Sequence, residues 1–360
     1  MKVIAVANQK GGCGKTITAV NLAYVLSGSG KKVLFIDLDP QSHATYAFGI
    51  KITDPSKSSY AIFETFLKGN NTSFTSLFYN KSKNLAVIPS NITLSTIEQK
   101  ISGTRNAALI LANSIKAGYT SEWEYIIIDT PPNLGFLTLN AILASHHLII
   151  PVDVSLFSLN GVIQIDEILN TTLSMGFEKP RMNFLITQFD CRSNFAKTFI
   201  SKAKELFGDK LFKTVIRSNI KLRESVYVGK SVFEYAPQAN GALDYTSLAR
   251  EIEPEVDSKR PIRLKSEVPD NGKLQTLFKL YAPTAQKVYV TGTFNDWAVN
   301  NDYVLKKLDN GMWVKIVSLP EGTYHYKFVV DGEWIEDPGN TMAENDMLGG
   351  KNSVLLVKTP

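Results

Sequence analysis

The chain has 360 residues, 44% hydrophobic and 20% charged, which is the composition of a soluble globular protein long enough for two domains and excludes a disordered or fibrous one. No apolar run reaches the roughly 18 residues that span a bilayer, the chain opens on a strand rather than a signal peptide, and two cysteines, Cys13 and Cys191, exclude a disulfide framework and favour a reducing cytoplasm. The net charge of +5 is uneven: Arg192–Lys230 holds ten Lys/Arg against three Asp/Glu, a net of +7, whereas Lys273 to the end is near neutral, so the first part of the chain favours a polyanion partner.

Val3–Ala7 (VIAVA) reads as a buried strand, Asn8–Thr16 (NQKGGCGKT) as a glycine-rich turn, and the following ITAVNLAYVL as a helix. Gly11, Gly12, Cys13, Gly14, Lys15, Thr16 and Ile17 form a phosphate loop: glycines let backbone N–H groups approach phosphate oxygens, and a helix N-terminus aims its positive end at them. Lys15 is placed for the β- and γ-phosphates, and the Thr16 hydroxyl for Mg²⁺. An extra lysine, Lys10, stands just ahead of the loop. The run KKVLFIDLDP is a second buried strand, with Asp37 and Asp39 at its tip, where an open α/β sheet meets its ligand; acids there hold Mg²⁺ through water or orient an attacking water.

Residues 50–82 are polar and weakly patterned, with a helix around Ala61–Leu67. Leu85–Pro89 is a short strand, and Thr93–Ala117 reads as one long helix. Trp123–Thr130 is a buried strand ending in Asp129, the position of a second carboxylate on the metal side. His146–Val152 is another strand, and its adjacent His146 and His147 have no third ligand at metal-binding spacing, so they read as structural. A helix over Leu159–Ser174, a strand over Asn183–Thr187, a helix over Ala196–Phe207 and a strand over Leu211–Ile216 complete the alternation. Strands alternating with helices across about 250 residues predict a mostly parallel sheet covered on both faces.

NQKGGCGKTITAVNLA, DLDPQSHAT, NLAVIPSN, YIIIDTPPNLGFLTLNAIL, TVIRSNIKL and GALDYTSLAREI occur in this order, and with them the first 252 residues resemble the ParA/Soj family of deviant P-loop (phosphate-loop) ATPases, relatives of MinD and the nitrogenase iron protein. That resemblance implies a slow ATP hydrolase that binds ATP/ADP and Mg²⁺, forms a homodimer on ATP, and answers to an activator protein. Lys10 resembles the signature lysine that reaches the partner's nucleotide, Asp39 the aspartate that positions water, and Asp129 the acid of the Mg²⁺-side strand. Thr187 and Asp190 match a TxxD-like segment, and Asn219 lies in the loop that approaches adenine. Arg192 and Lys221 fall where related segregation ATPases keep basic residues for non-specific DNA contact, which implies a nucleoid-associated protein of the cytoplasm. Two departures stand out: TVIRSN replaces the frequent TVIPRN, and Ile17 replaces a common threonine. A MinD-like membrane helix and an iron–sulfur cluster are both disfavoured, since the domain runs on into a linker and neither cysteine stands in a cluster segment.

Residues 253–272 are Pro-rich and charged without an apolar period, a linker. Residues 273–360 show short alternating runs (TLFKLYAP, KVYVTGTF, MWVKIVSL, YHYKFVV, NSVLLV) separated by turn signals at 309–311, 320–322 and 330–332, predicting a small all-β, immunoglobulin-like sandwich. VYVTGTFNDW, LPEGTYHYKFVVDGEW and LGGKNSVLLV resemble the glycogen-binding modules of the AMP-activated kinase β subunit and of branching enzymes. By that resemblance Trp297 and Trp334 are sugar-stacking platforms, Lys327 and Asn352 bond hydroxyls, and Leu348 presses into a turn of α-glucan such as glycogen. The alternative reading is a carbohydrate-binding or scaffold protein whose ATPase core is a nucleotide-dependent platform with little DNA binding.

Overall fold

A computed structural model of the chain describes residues 1–68, 74–101, 107–118, 122–133, 135–155, 179–253, 273–307, 311–340, 342–346 and 350–357. The chain divides into two compact units, Met1–Glu98 with Ala108–Val268, and Gln99–Ala107 with Pro269–Pro360.

The first unit is built on a seven-stranded sheet. Its strands are β1 (Lys2–Val6), β2 (Val33–Asp37), β3 (Tyr79–Ser82), β4 (Leu85–Ile88), β5 (Tyr125–Asp129), β6 (His147–Asp153) and β7 (Arg181–Thr187), in the order β3-β4-β2-β5-β1-β6-β7. All neighbours are parallel except the β3–β4 pair at one edge. In β2, β4 and β5 every residue is buried, which is why their sequences are continuous apolar runs without alternation. Helix α1 (Lys15–Gly28) follows β1, and its Leu22, Ala23 and Leu26 join Ile4, Phe35, Ile127 and Tyr245 in one core. The register sets Asp37 of β2 opposite Asp129 of β5, so the two acids end neighbouring strands at the same edge.

Four expectations are revised or lie outside view. The long helix over Thr93–Ala117 is a 3₁₀ turn (Ile92–Thr96), a short helix (Ile97–Ile101), a second 3₁₀ turn (Ala107–Leu109) and a helix (Ile110–Gly118). The Leu111 N–H donates to the Asn140 side chain rather than into a continuous helix, which fixes the late start of the last piece. The Leu211–Ile216 strand makes only isolated bridges beyond β7, because the N–H groups of Lys213 and Thr214 turn away to the Glu251 carboxylate. Strand β3 lies in the stretch read as unpatterned: it is a four-residue edge strand, half exposed. The expected helix over Leu159–Ser174 lies outside the described residues.

The second unit is antiparallel. Strands β8 (Lys273–Tyr281), β10 (Lys306–Lys307) and β11 (Met312–Pro320) form one sheet. Strands β9 (Val288–Gly292), β12 (Gly322–Val330), β13 (Glu333–Ile335), β14 (Ala343–Asn345) and β15 (Lys351–Val357) form the other. Phe278, Trp313 and Leu319 from the first sheet meet Val290, Phe328 and Val357 from the second in a shared core, the arrangement of a β-sandwich.

Candidate nucleotide site and glycan face

The turn between β1 and α1 needs its glycines. Gly12 and Gly14 adopt φ of 76° and 91°, a left-handed region that costs other residues roughly 1 kcal/mol or more. Gly14 is the N-cap of α1, which leaves the first N–H groups of the helix facing the loop. The loop is tied down from behind: the Thr187 hydroxyl donates to the Cys13 carbonyl at 2.8 Å, and the Gln188 amide donates to the Gly12 carbonyl. Cys13 is buried, and burial pushes its thiol pKa up, so it is a packing residue rather than a nucleophile. Lys15 is buried with its ammonium 3.0 Å from the Lys10 carbonyl, and Ile17 packs on the core.

Three acids gather beside the loop. Asp37 is fully buried and accepts from the Asp39 N–H at 3.0 Å and from the Thr45 N–H and hydroxyl at 2.9 and 2.7 Å. Burial raises its pKa to about 7, despite those hydrogen bonds. Asp39 is 5% exposed, accepts from the Gln41 N–H, and is raised by burial against the pull of His43 and Lys15. Asp129 is 0% exposed, and neither of its carboxylate oxygens has a hydrogen-bond partner among the described residues. Burial and then the charge of Asp37 hold its pKa well up; the Thr16 hydroxyl lies near enough to oppose this, without a hydrogen bond of ordinary length. Bare buried carboxylate oxygens beside a second and third acid and a hydroxyl are a hard-oxygen donor set that fits Mg²⁺.

The lysine ahead of the loop is engaged within its own chain. Lys10 donates to both carboxylate oxygens of Asp153, at 2.8 and 2.6 Å, and to the Ser155 hydroxyl at 2.7 Å. Its backbone N–H is held by Asn8, whose amide in turn donates to Pro151. Sequence reasoning passed over Asp153, although the signal was there: HLIIPVD ends in an acid as YIIID does.

The basic segment is exposed but locally paired. Arg192 is in bidentate contact with Asp190 at 2.9 Å, and Lys221 lies 2.8 Å from Glu224. Asn219 caps the helix Ile220–Tyr227, its side chain accepting from the Lys221 N–H. Arg217, in the departing segment TVIRSN, is committed to Asp244 through its backbone N–H and its guanidinium at 2.6–3.1 Å.

In the second unit, Asp296 and Trp297 both adopt left-handed backbone (φ 53° and 59°), a strained turn that presents the Trp297 indole beside Trp334 at a centroid distance of 6.2 Å and a 40° tilt. Trp334 is 48% exposed. Lys327 lies opposite Thr291 across β12–β9, and its ammonium is 2.7 Å from Asp346. Asn352 lies opposite Glu344 across β14–β15. Leu348 lies outside the described residues.

Among the described residues, no helix is long and apolar enough to cross a membrane. A family model described as an AAA domain matches residues 1–173, and one described as the glycogen recognition site of AMP-activated protein kinase matches residues 275–360. Soj, the sporulation initiation inhibitor protein of Bacillus subtilis (strain 168), is 37% identical over 258 residues, covering 70% of this chain and 98% of Soj. The chromosome-partitioning ATPase Soj of Treponema pallidum is 33% identical over 258 residues, covering 70% of this chain and 96% of that protein. Cobyrinic acid a,c-diamide synthase from Mycobacterium smegmatis, with a bound ATP analogue and magnesium, superposes with a TM-score of 0.59 at 24% identity over 72% of this chain and 97% of its own. That last likeness is one of fold.

Proposed function

The chain belongs to the Soj/ParA family of partitioning and positioning ATPases, which hydrolyse ATP with Mg²⁺, and from that premise we propose a switch that dimerises on ATP, binds DNA in that state, and carries an α-glucan through its second unit. The ATPase domain is proposed to comprise residues 1–252 and the glycan-binding domain residues 273–360, joined by a linker over 253–272, of which 254–272 lie outside the described residues.

The observation that carries the reading of the site is the bare, buried carboxylate of Asp129 beside the phosphate loop, a site built for a divalent cation. Thr16, Asp39 and Asp129 would hold it, directly or through water. When bound there, Mg²⁺ would supply positive charge to offset that of the phosphates. The loop N–H groups from Gly11 to Ile17 and the Lys15 ammonium bind and orient the phosphates, and Asn219 flanks the base. Asp39, whose backbone N–H donates to the Asp37 carboxylate, aligns a water against the γ-phosphate. Lys10, once released from Asp153, supplies positive charge to the partner's nucleotide. An activator protein speeds hydrolysis, and hydrolysis dissolves the dimer.

In the second unit the tilted pair Trp297 and Trp334 supports the glucan reading: flat indoles accept the C–H faces of pyranoses while Lys327 and Asn352 bond their hydroxyls, with Leu348 assigned to the same site. Native electrophoresis through gels with and without embedded glycogen, comparing the whole chain with Trp334→Ala, tests this coupling. Retardation lost in the variant supports it, and equal mobility of the wild-type chain in both gels rejects the glucan arm.

A second reading, a carbohydrate-binding or protein scaffold with a nucleotide-dependent platform and little DNA binding, is favoured by one observation. Arg192, Arg217 and Lys221 all pair with acids of their own chain.

A further inference from the structure

Two basic side chains on the outer face of the second unit's larger sheet meet acids. Lys327 of β12 meets Asp346, and His325, two residues earlier on the same face, lies 2.8 Å from Glu344. The Lys327–Asp346 pair is the more enclosed, with side chains 16% and 13% exposed. Asp346 is itself fixed by Gly350. Its other oxygen accepts the Gly350 N–H at 2.7 Å, and its own N–H donates to the Gly350 carbonyl at 2.8 Å. A Cβ on residue 350 would stand 2.9 Å from the carboxylate, so Gly350 is the residue that leaves room for it. One carboxylate therefore bonds Gly350, just ahead of β15, and pins an ammonium on β12.

A lone, half-enclosed ammonium attracts phosphate esters, because its charge is poorly screened. An ammonium whose charge is met by a fixed carboxylate keeps N–H donors for neutral hydroxyls and loses that preference. We propose that Asp346 determines specificity on this face: by cancelling and orienting Lys327 it selects uncharged α-glucan over phosphorylated or otherwise anionic glycan. This rests on the glycan reading of the Trp297–Trp334 face given above. Asp346 is a positioning residue that acts through Lys327 and also bonds Gly350.

The test is calorimetric titration of the full chain with maltoheptaose and with a phosphorylated maltodextrin. The variants are Asp346→Asn, Gly350→Ala, Lys327→Met, the Asp346→Asn/Lys327→Met double variant, and Trp334→Ala. Asp346→Asn is expected to bind maltoheptaose about tenfold more weakly, the loss of one charge-assisted contact, and to gain measurable affinity for the phosphorylated chain. Gly350→Ala, which displaces the carboxylate without removing it, is expected to do the same. In the Lys327→Met background, Asp346→Asn is expected to change neither affinity, a non-additivity that a merely structural role would not show. Equal loss for both glycans with or without Lys327, or no change in either, would overturn the proposal while wild-type binding and its loss in Trp334→Ala leave the glycan reading standing. A wild-type chain that binds neither glycan overturns both.

Discussion

The ammonium of Lys10 sits between the two carboxylate oxygens of Asp153, at 2.6 and 2.8 Å, inside a single chain. The lysine that the ATPase reading assigns to a partner's nucleotide is therefore held at home by the acid that ends β6. On the proposed switch reading, forming an ATP-bound dimer would exchange this partly buried pair for contact with phosphate.

Asp153→Asn removes that competition. A partly buried, charge-assisted pair contributes about 1.5 kcal/mol, so the variant is expected to dimerise at roughly tenfold lower ATP or protein concentration. Light scattering during size-exclusion chromatography with an ATP analogue measures it, and an unchanged dimerisation midpoint would count against the latch. Lys10→Ala is expected to bind ATP yet lose turnover.

Asp129 is buried beside Asp37, and neither of its carboxylate oxygens has a hydrogen-bond partner among the described residues, an arrangement that costs stability. Asp129→Asn is expected to raise the melting temperature of the nucleotide-free chain by about 2–4 °C, equivalent to about 1 kcal/mol at this size, while abolishing the Mg²⁺ dependence of ATP affinity. Scanning calorimetry and nucleotide titration with and without Mg²⁺ separate the two effects. A lower melting temperature would mean that the acid supports the fold instead.

His147 is buried on β6, its ring 2.9 Å from the Asn183 side chain, and burial lowers its pKa to about 4. The unfolded chain, with a pKa near 6.5, binds this proton first. The contribution of the neutral ring is thus fully present above about pH 6.5 and is lost as pH falls toward 4, by about 3 kcal/mol at most. His147→Gln keeps a partner for Asn183 and does not titrate. Urea unfolding of both chains at pH 7.5 and 4.5 is expected to show a gap that closes or reverses at the lower pH. The comparison also cancels Asp37, whose raised pKa acts in the opposite direction between pH 7 and 4.

Arg192 and Lys221 are exposed but already paired with Asp190 and Glu224. If the ATP-bound dimer contacts DNA through them, replacing either with alanine lowers the slope of log affinity against log salt by about one. Gel retardation across a salt series reads this directly. Slopes unchanged in both variants would favour the platform reading over DNA partitioning.

Much of this was legible in the chain alone. The strands β1, β2 and β5 are continuous apolar runs because they are buried on both faces, and the loop at Gly11–Thr16 announces its chemistry through residue types that backbone geometry demands. Where the sequence misled, the signal was weak or borrowed. β3 has four half-exposed residues and no apolar run, and the stretch at Leu211–Ile216 has strand composition but spends its N–H groups on Glu251.

The sequence by itself determined the phosphate loop, the acids Asp37, Asp39 and Asp129 at strand tips and the alternating runs of an all-β region, because periodicity and local residue chemistry act over a few positions. Only the tertiary structure decided which charges are already spent. Lys10 with Asp153, Arg217 with Asp244 and Lys327 with Asp346 lie 143, 27 and 19 residues apart in the chain. Such pairs depend on how strands, helices and loops pack, which brings distant side chains within 3 Å of one another, and no local pattern records that distance.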